Sequence, residues 1–197
     1  PMGYSLKAYL DSKPMKDAEI KGKVTVSGEL KIALDSQNEL DSVSFKNKTD
    51  LNHLSIRFSN LFVKNEKVPL ESNSEIIYSK KDDKVEFKLA EFIFNDSVVK
   101  LKGDIAHIEQ PSLNLSIDSN RLNVKNWSSL IPLMKEYQMS GWVSFSSKLF
   151  GTLSKLGYSA KMDIDELKGT LPQFKAPFQI QSHLDVKNDF VELKNFD

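Results

Sequence analysis

Val24-Thr-Val26-Ser-Gly28-Glu-Leu30-Lys-Ile32-Ala-Leu34 alternates apolar and polar residues with a period of two. Successive side chains of a strand point to opposite faces, so this spacing gives one face of Val, Gly, Leu and Ile and another of Thr, Ser, Glu, Lys and Ala. That is the pattern of a half-buried strand. It returns in Leu54-Ser-Ile56-Arg-Phe58, Val85-Glu-Phe87-Lys-Leu89, Val99-Lys-Leu101-Lys-Gly103-Asp-Ile105 and Leu113-Asn-Leu115-Ser-Ile117. Trp142-Val143-Ser-Phe145, Met162-Asp-Ile164, Phe178-Gln-Ile180, Leu184-Asp-Val186 and Val191-Glu-Leu193 continue it. Turn clusters such as Asp35-Ser-Gln-Asn38, Lys80-Lys-Asp-Asp83 and Lys187-Asn-Asp189 separate the runs, so we expect an all-β, mostly antiparallel fold of about a dozen strands.

The spacing changes between residues 124 and 137, where Val124, Trp127, Leu130, Ile131, Met134 and Tyr137 stand three and four apart. One short amphipathic helix is predicted there, capped by Asn123 or Asn126 and limited or kinked by Pro132. Its apolar stripe is expected to face the sheet.

Some of the chain repeats. The run 61–92, with Val68-Pro69-Leu70, Ile76-Ile77 and Val85-Glu86-Phe87, returns as 167–196 with Ala176-Pro177-Phe178, Leu184-Asp-Val186 and Val191-Glu192-Leu193. A repeated β unit stacks on its neighbours instead of closing into a sphere. Pro1-Met2-Gly3 reads as a cloning or protease scar, and residues 4–197 as one elongated β-repeat domain excised from a longer protein, with units of 20–94 and 95–197.

Composition narrows the function. The 27 Lys and Arg residues balance 27 Asp and Glu, so the one-signed basic footprint of a nucleic-acid binder is missing. Cysteine is absent, which excludes disulfides, thiolate metal sites and a cysteine nucleophile. His53, His107 and His183 stand apart with no ligand spacing, and Asp163 and Asp165 read as the solvent side of a strand. No Gly-x-Ser-x-Gly, phosphate loop or calcium loop occurs. We therefore expect no enzyme, no cofactor and no metal. Gly28 and Gly103 fall on the apolar parity, where a missing side chain allows a bulge, a bend, or close approach by another backbone or ligand, a plain bulge being the first expectation. Lys13-Pro14-Met15-Lys16 is too short a basic run to mark a membrane-headgroup patch.

Asn95-Asp-Ser97-Val-Val99-Lys-Leu101-Lys-Gly103-Asp, followed by Gln110-Pro111-Ser-Leu113-Asn-Leu115-Ser-Ile117-Asp-Ser119-Asn-Arg-Leu122, resembles the AsmA-like family in its order of small polar residues, strand, Gly, Pro and strand. Trp127, Leu130-Ile131-Pro132 and Ser140-Gly141-Trp142-Val143 look like that family's short helix and next Gly-opened strand. The resemblance implies an elongated, curved, repeat-built sheet forming a groove. It also implies a periplasmic body held to the inner membrane by an N-terminal anchor that this stretch lacks. Its expected activity is bridge-like binding and transport of phospholipid between the inner and outer membranes, with envelope proteins as further partners.

Two functional readings follow from one apolar face per strand. In the first, Val24, Val26, Leu30, Ile32, Val99, Leu101, Ile105, Leu113, Leu115, Ile117, Val143, Phe145, Ile180 and Leu184 line an open groove for phospholipid acyl chains. An acyl chain of about 16 carbons would gain roughly 12 kcal/mol gross at about 0.8 kcal/mol per methylene, less the cost of association. In the second, the same faces close on one another as a β-sandwich scaffold or protein-interaction module supporting outer-membrane assembly.

Overall fold

The structure, a computed structural model, describes residues 18–59, 61–188 and 190–194. Pro1-Met2-Gly3 and Lys13-Pro14-Met15-Lys16 lie outside the described residues.

Strand accounts for 69% of the described residues, as the alternation predicts. A small antiparallel sheet joins β1 (Ala18–Gly22), β4 (Leu54–Phe58) and β5 (Phe62–Lys64) in the order β1-β4-β5. The large sheet has eleven strands. They are β2 (Thr25–Leu34), β3 (Leu40–Asp50), β6 (Glu71–Ser79), β7 (Lys84–Phe94), β8 (Ser97–Ala106), β9 (Ser112–Ser119), β10 (Leu122–Asn123), β11 (Ser140–Thr152), β12 (Lys155–Leu171), β13 (Ala176–Lys187) and β14 (Phe190–Lys194). Their order is β14-β13-β12-β11-β9-β8-β7-β6-β3-β2, with β10 paired to β11 off this path. Every pairing is antiparallel, and the sheet is curved and not closed.

Bulges set the curvature. Between Phe87 and Ala90, β7 places two residues against the single Lys102 of β8, beside Gly103 at φ 121°. Between Ile164 and Leu167, β12 does the same against β13, with Glu166 at φ 49°, and Gly141 of β11 faces this bulge at φ 120°. An extra residue bends its strand and increases the local twist. Glycine is required at these crossings because a Cβ on Gly103 would stand 2.0 Å from the Asn114 carbonyl oxygen, and one on Gly141 2.4 Å from that of Glu166.

Two long connections, 51–70 and 120–139, leave from the same end of the strands. The first carries β4 and β5. The second carries α1 (Val124–Trp127) and α2 (Pro132–Glu136). They meet where the Val63 N–H donates to the Leu130 carbonyl at 2.7 Å. Leu54, Leu122, Val124 and Leu130 from these connections are buried, as is Phe94, whose ring meets Trp127 edge-on at 5.3 Å. The Trp127 Nε1–H donates to Ser97 Oγ at 3.0 Å. The core is thus a wall along one side of the sheet. Lys64, fully buried, staples the first connection by donating from Nζ to the carbonyls of Leu54 (2.6 Å), Asn65 (3.3 Å) and Asn52 (3.4 Å). Burial holds its ammonium below the ordinary lysine range.

Two expectations change. The single helix is two short ones. Asn123 caps α1 by accepting from the Lys125 N–H, whereas Asn126 donates to Asp96, and Pro132 opens α2 at a position that needs no N–H. The matching runs 61–92 and 167–196 share only a hairpin, β6–β7 against β13–β14. Pro69 precedes β6 while Pro177 lies inside β13 opposite Thr170, and β5 pairs with β4 whereas β12 pairs directly with β13.

Candidate functional site: an uncharged sheet face

Strand register decides which residues share a face. Leu30, Phe45, Ile76, Phe87, Gly103, Leu115, Leu149 and Tyr158 are paired one to the next, in a single row across eight strands from β2 to β12. Ile32, Val43, Tyr78, Val85, Ile105, Leu113, Gly151 and Leu156 form the next row on the same face. At about 4.8 Å per strand each row runs roughly 34 Å, about twice the depth of one leaflet's hydrocarbon, which is half of a roughly 30 Å core.

Each predicted groove residue within a strand falls on this face. Val26, Leu30 and Ile32 lie on β2, Val99, Leu101 and Ile105 on β8, Leu113, Leu115 and Ile117 on β9, Val143 and Phe145 on β11, and Ile180 and Leu184 on β13. Val24 stands just before β2. None of the fourteen is buried. Val26, Leu30 and Ile32 are 55%, 59% and 60% exposed, so among the described residues no second layer covers that end of the sheet. Among the described residues, no Asp, Glu, Lys or Arg occupies a register-paired position on this face.

The charges are on the opposite face. There Lys48 meets Glu71 at 2.7 Å, Lys100 meets Glu91 at 3.0 Å, Arg121 pairs with Asp165 while stacking 4.8 Å over Trp142, and His183 Nδ1 lies 2.6 Å from Asp163. The Glu71 carboxylate holds the Lys48 ammonium above its ordinary range. Asp163 and Asp165 are thus on the solvent side with separate partners. His53 stands 3.8 Å from Glu66 and is mostly exposed, and His107 occupies a turn at φ 57°. A shallow cleft lined by Ser27, Glu29, Lys46, Lys48, Glu75 and Glu91 also opens on this polar face.

The sides of the apolar face differ. The helices and the small sheet wall one side, against Phe94 and Ser97. The other side ends in the turns 35–39, 80–83, 107–111 and 153–154. The result is a trough with one wall and an apolar, charge-free floor. Such a floor can hold extended hydrocarbon, because non-directional contact asks nothing of the ligand but apolar surface.

No protein-family model matches the chain, and no curated protein or solved structure is similar enough to match it.

The predicted groove residues leave out Val43, Phe45, Ile76, Tyr78, Val85, Phe87, Leu149, Leu156 and Tyr158, which complete the rows. β3 and β6 each turn polar halfway, in Asn47-Lys-Thr49 and Ser72-Asn-Ser74, which hides their alternation. Leu149 to Tyr158 is interrupted by Gly151 and the turn at 153–154.

Proposed function

We propose that the chain binds phospholipid acyl chains along this face and passes lipid between the inner and outer membranes as part of a periplasmic, inner-membrane-anchored bridge. The observation that carries the binding step is the pair of continuous apolar rows from β2 to β12 with no charge among them and, among the described residues, no layer over Val26, Leu30 and Ile32. Soluble proteins rarely leave so large an apolar surface open without a partner for it. Contact along the rows is non-directional, so a hydrocarbon chain can slide along them. The envelope location and the direction between membranes rest on the resemblance to AsmA-like proteins.

The scaffold reading requires a second apolar layer on the same face. Among the described residues, the wall of helices and small sheet reaches Phe94 and Ser97 but leaves the outer strands exposed. The test is to incubate the purified chain with phosphatidylethanolamine and phosphatidylglycerol vesicles, re-isolate it, and extract it into organic solvent for mass spectrometry. Co-isolated acyl lipid is expected. A chain that returns free of lipid would overturn the reading.

A further inference from the structure

One patch of the trough floor differs from the rest. Asn47 and Thr49 of β3 pair in register with Ser74 and Ser72 of β6, forming a two-by-two block of neutral polar side chains on the apolar face. Ser74 Oγ–H donates to Asn47 Oδ1, and Asn47 Nδ2–H donates to Thr49 Oγ1 at 3.0 Å.

Elsewhere on this face the serines are turned to the protein. Ser97 accepts from the Trp127 indole, Ser119 accepts from the Phe145 N–H, and Ser147 and Ser182 donate to the carbonyls of Ile117 and Lys194. The block at 47, 49, 72 and 74 makes no side-chain bond to the backbone among the described residues. It keeps a second amide N–H on Asn47 and the hydroxyls of Thr49 and Ser72 available above the floor.

The neighbours keep it open. Gly28 flanks Asn47 on β2, and Ala90 flanks Ser74 on β7. A Cβ on Gly28 would stand 2.2 Å from the Lys46 carbonyl oxygen and 2.9 Å from Asn47 Cβ. Any side chain there would therefore crowd the amide.

From this juxtaposition we infer that Asn47, Thr49, Ser72 and Ser74 form a station for the ester-linked glycerol segment of a diacyl lipid. The inference rests on the acyl-binding reading above. Donors suit ester carbonyls, which accept hydrogen bonds and carry no charge. A phosphate would require a cation, and this face has none at its paired positions. From β6 to β12 the rows cross five strand spacings, roughly 24 Å at about 4.8 Å each, which is room for an acyl chain running away from the station.

The test loads the purified chain from vesicles holding equal amounts of dipalmitoyl phosphatidylcholine, an ester lipid, and dihexadecyl phosphatidylcholine, its ether counterpart lacking the carbonyls. Bound lipid is extracted and counted by mass spectrometry. The wild-type chain should carry the ester lipid in about fivefold excess, the order that one net hydrogen bond confers. Asn47→Leu should bring the ratio to one while total lipid stays the same. Thr49→Val and Ser72→Ala, which remove hydroxyls without adding bulk, should each lower the ratio and keep the assay decisive if Asn47→Leu misfolds by circular dichroism. A wild-type ratio of one with lipid bound would overturn the station and leave the groove standing. A preference untouched by all three variants would overturn its assignment to these residues. A wild-type chain that takes up neither lipid would overturn both the groove and the station.

Discussion

Gly103 of β8 lies directly opposite Phe87 of β7, at the point where β7 carries an extra residue. Its φ of 121° is closed to L side chains, and a Cβ would stand 2.0 Å from the Asn114 carbonyl oxygen on the other neighbouring strand, β9. The glycine lets three strands bend together at the position opposite Phe87.

Gly103→Ala is therefore expected to destabilise the chain by at least about 2 kcal/mol through forced backbone strain. Urea unfolding followed by circular dichroism should show a lower midpoint. An unchanged midpoint would show that the bend does not depend on this residue.

The wall beside the trough should be the most cooperative part of the molecule. Phe94 is 2% exposed against Trp127, and Leu130 is 1% exposed. Phe94→Ala should cost about 3–5 kcal/mol and shift Trp127 fluorescence to the red as the indole meets water. A variant with wild-type stability and an unmoved emission maximum would show that the contact is not part of the core.

At the open side, Glu39 and Lys80 join two neighbouring turns at 2.9 Å. Lys80 holds the Glu39 carboxyl below its ordinary 4.5, chiefly through the side-chain hydrogen bond, and Glu39 raises Lys80 above its ordinary 10.5 in the same way. A lowered carboxyl pKa contributes stability that is present above 4.5 and is lost as pH falls through the folded value. A raised ammonium pKa contributes stability that is present below 10.5 and is lost as pH rises through the folded value. Lys80→Met should thus lose a small increment of stability near neutral pH and none in strong acid, and added salt should shrink the difference. Unfolding curves of both chains at pH 3 and pH 7, an acid and a neutral point chosen about either side of the carboxyl range, measure it. An equal loss at both would contradict the pairing.

The main outline of the fold was legible because most strands keep one apolar face, and period-two spacing records that face directly. Leu54–Phe58, residues 84–94 and residues 97–106 could be read that way, as could the change to helical spacing at Val124. Other features depend on neighbours distant in sequence. β3 and β6 were hidden because their polar halves, Asn47 to Thr49 and Ser72 to Ser74, occupy an apolar face. Pro132 divided the helix by starting a second one, an outcome that spacing alone does not distinguish from a kink. The repeat stopped at a hairpin, since similar Pro-containing strings were placed once in a loop and once inside a strand. For the site, parity placed thirteen of the fourteen named residues on one face. Whether that face was covered depended on how far the connections 51–70 and 120–139 reach across the sheet, which the spacing of their apolar residues does not record.

The most direct test of the groove is a carboxylate placed on one face or the other of a single strand. Leu115 of β9 points into the trough, and Asn114, its neighbour in sequence, points away beside Asp104. Val26 offers a second inward position at 55% exposure. Circular dichroism and bound phospholipid should be measured together for Leu115→Asp, Val26→Asp and Asn114→Asp. An open face leaves the new charge hydrated, so all three chains should fold, with lipid lost from the two inward variants and retained by Asn114→Asp. A closed core would bury an unpaired carboxylate at a cost of several kcal/mol, so unfolding of both inward variants, together with a wild-type chain that never carries lipid, would contradict the account.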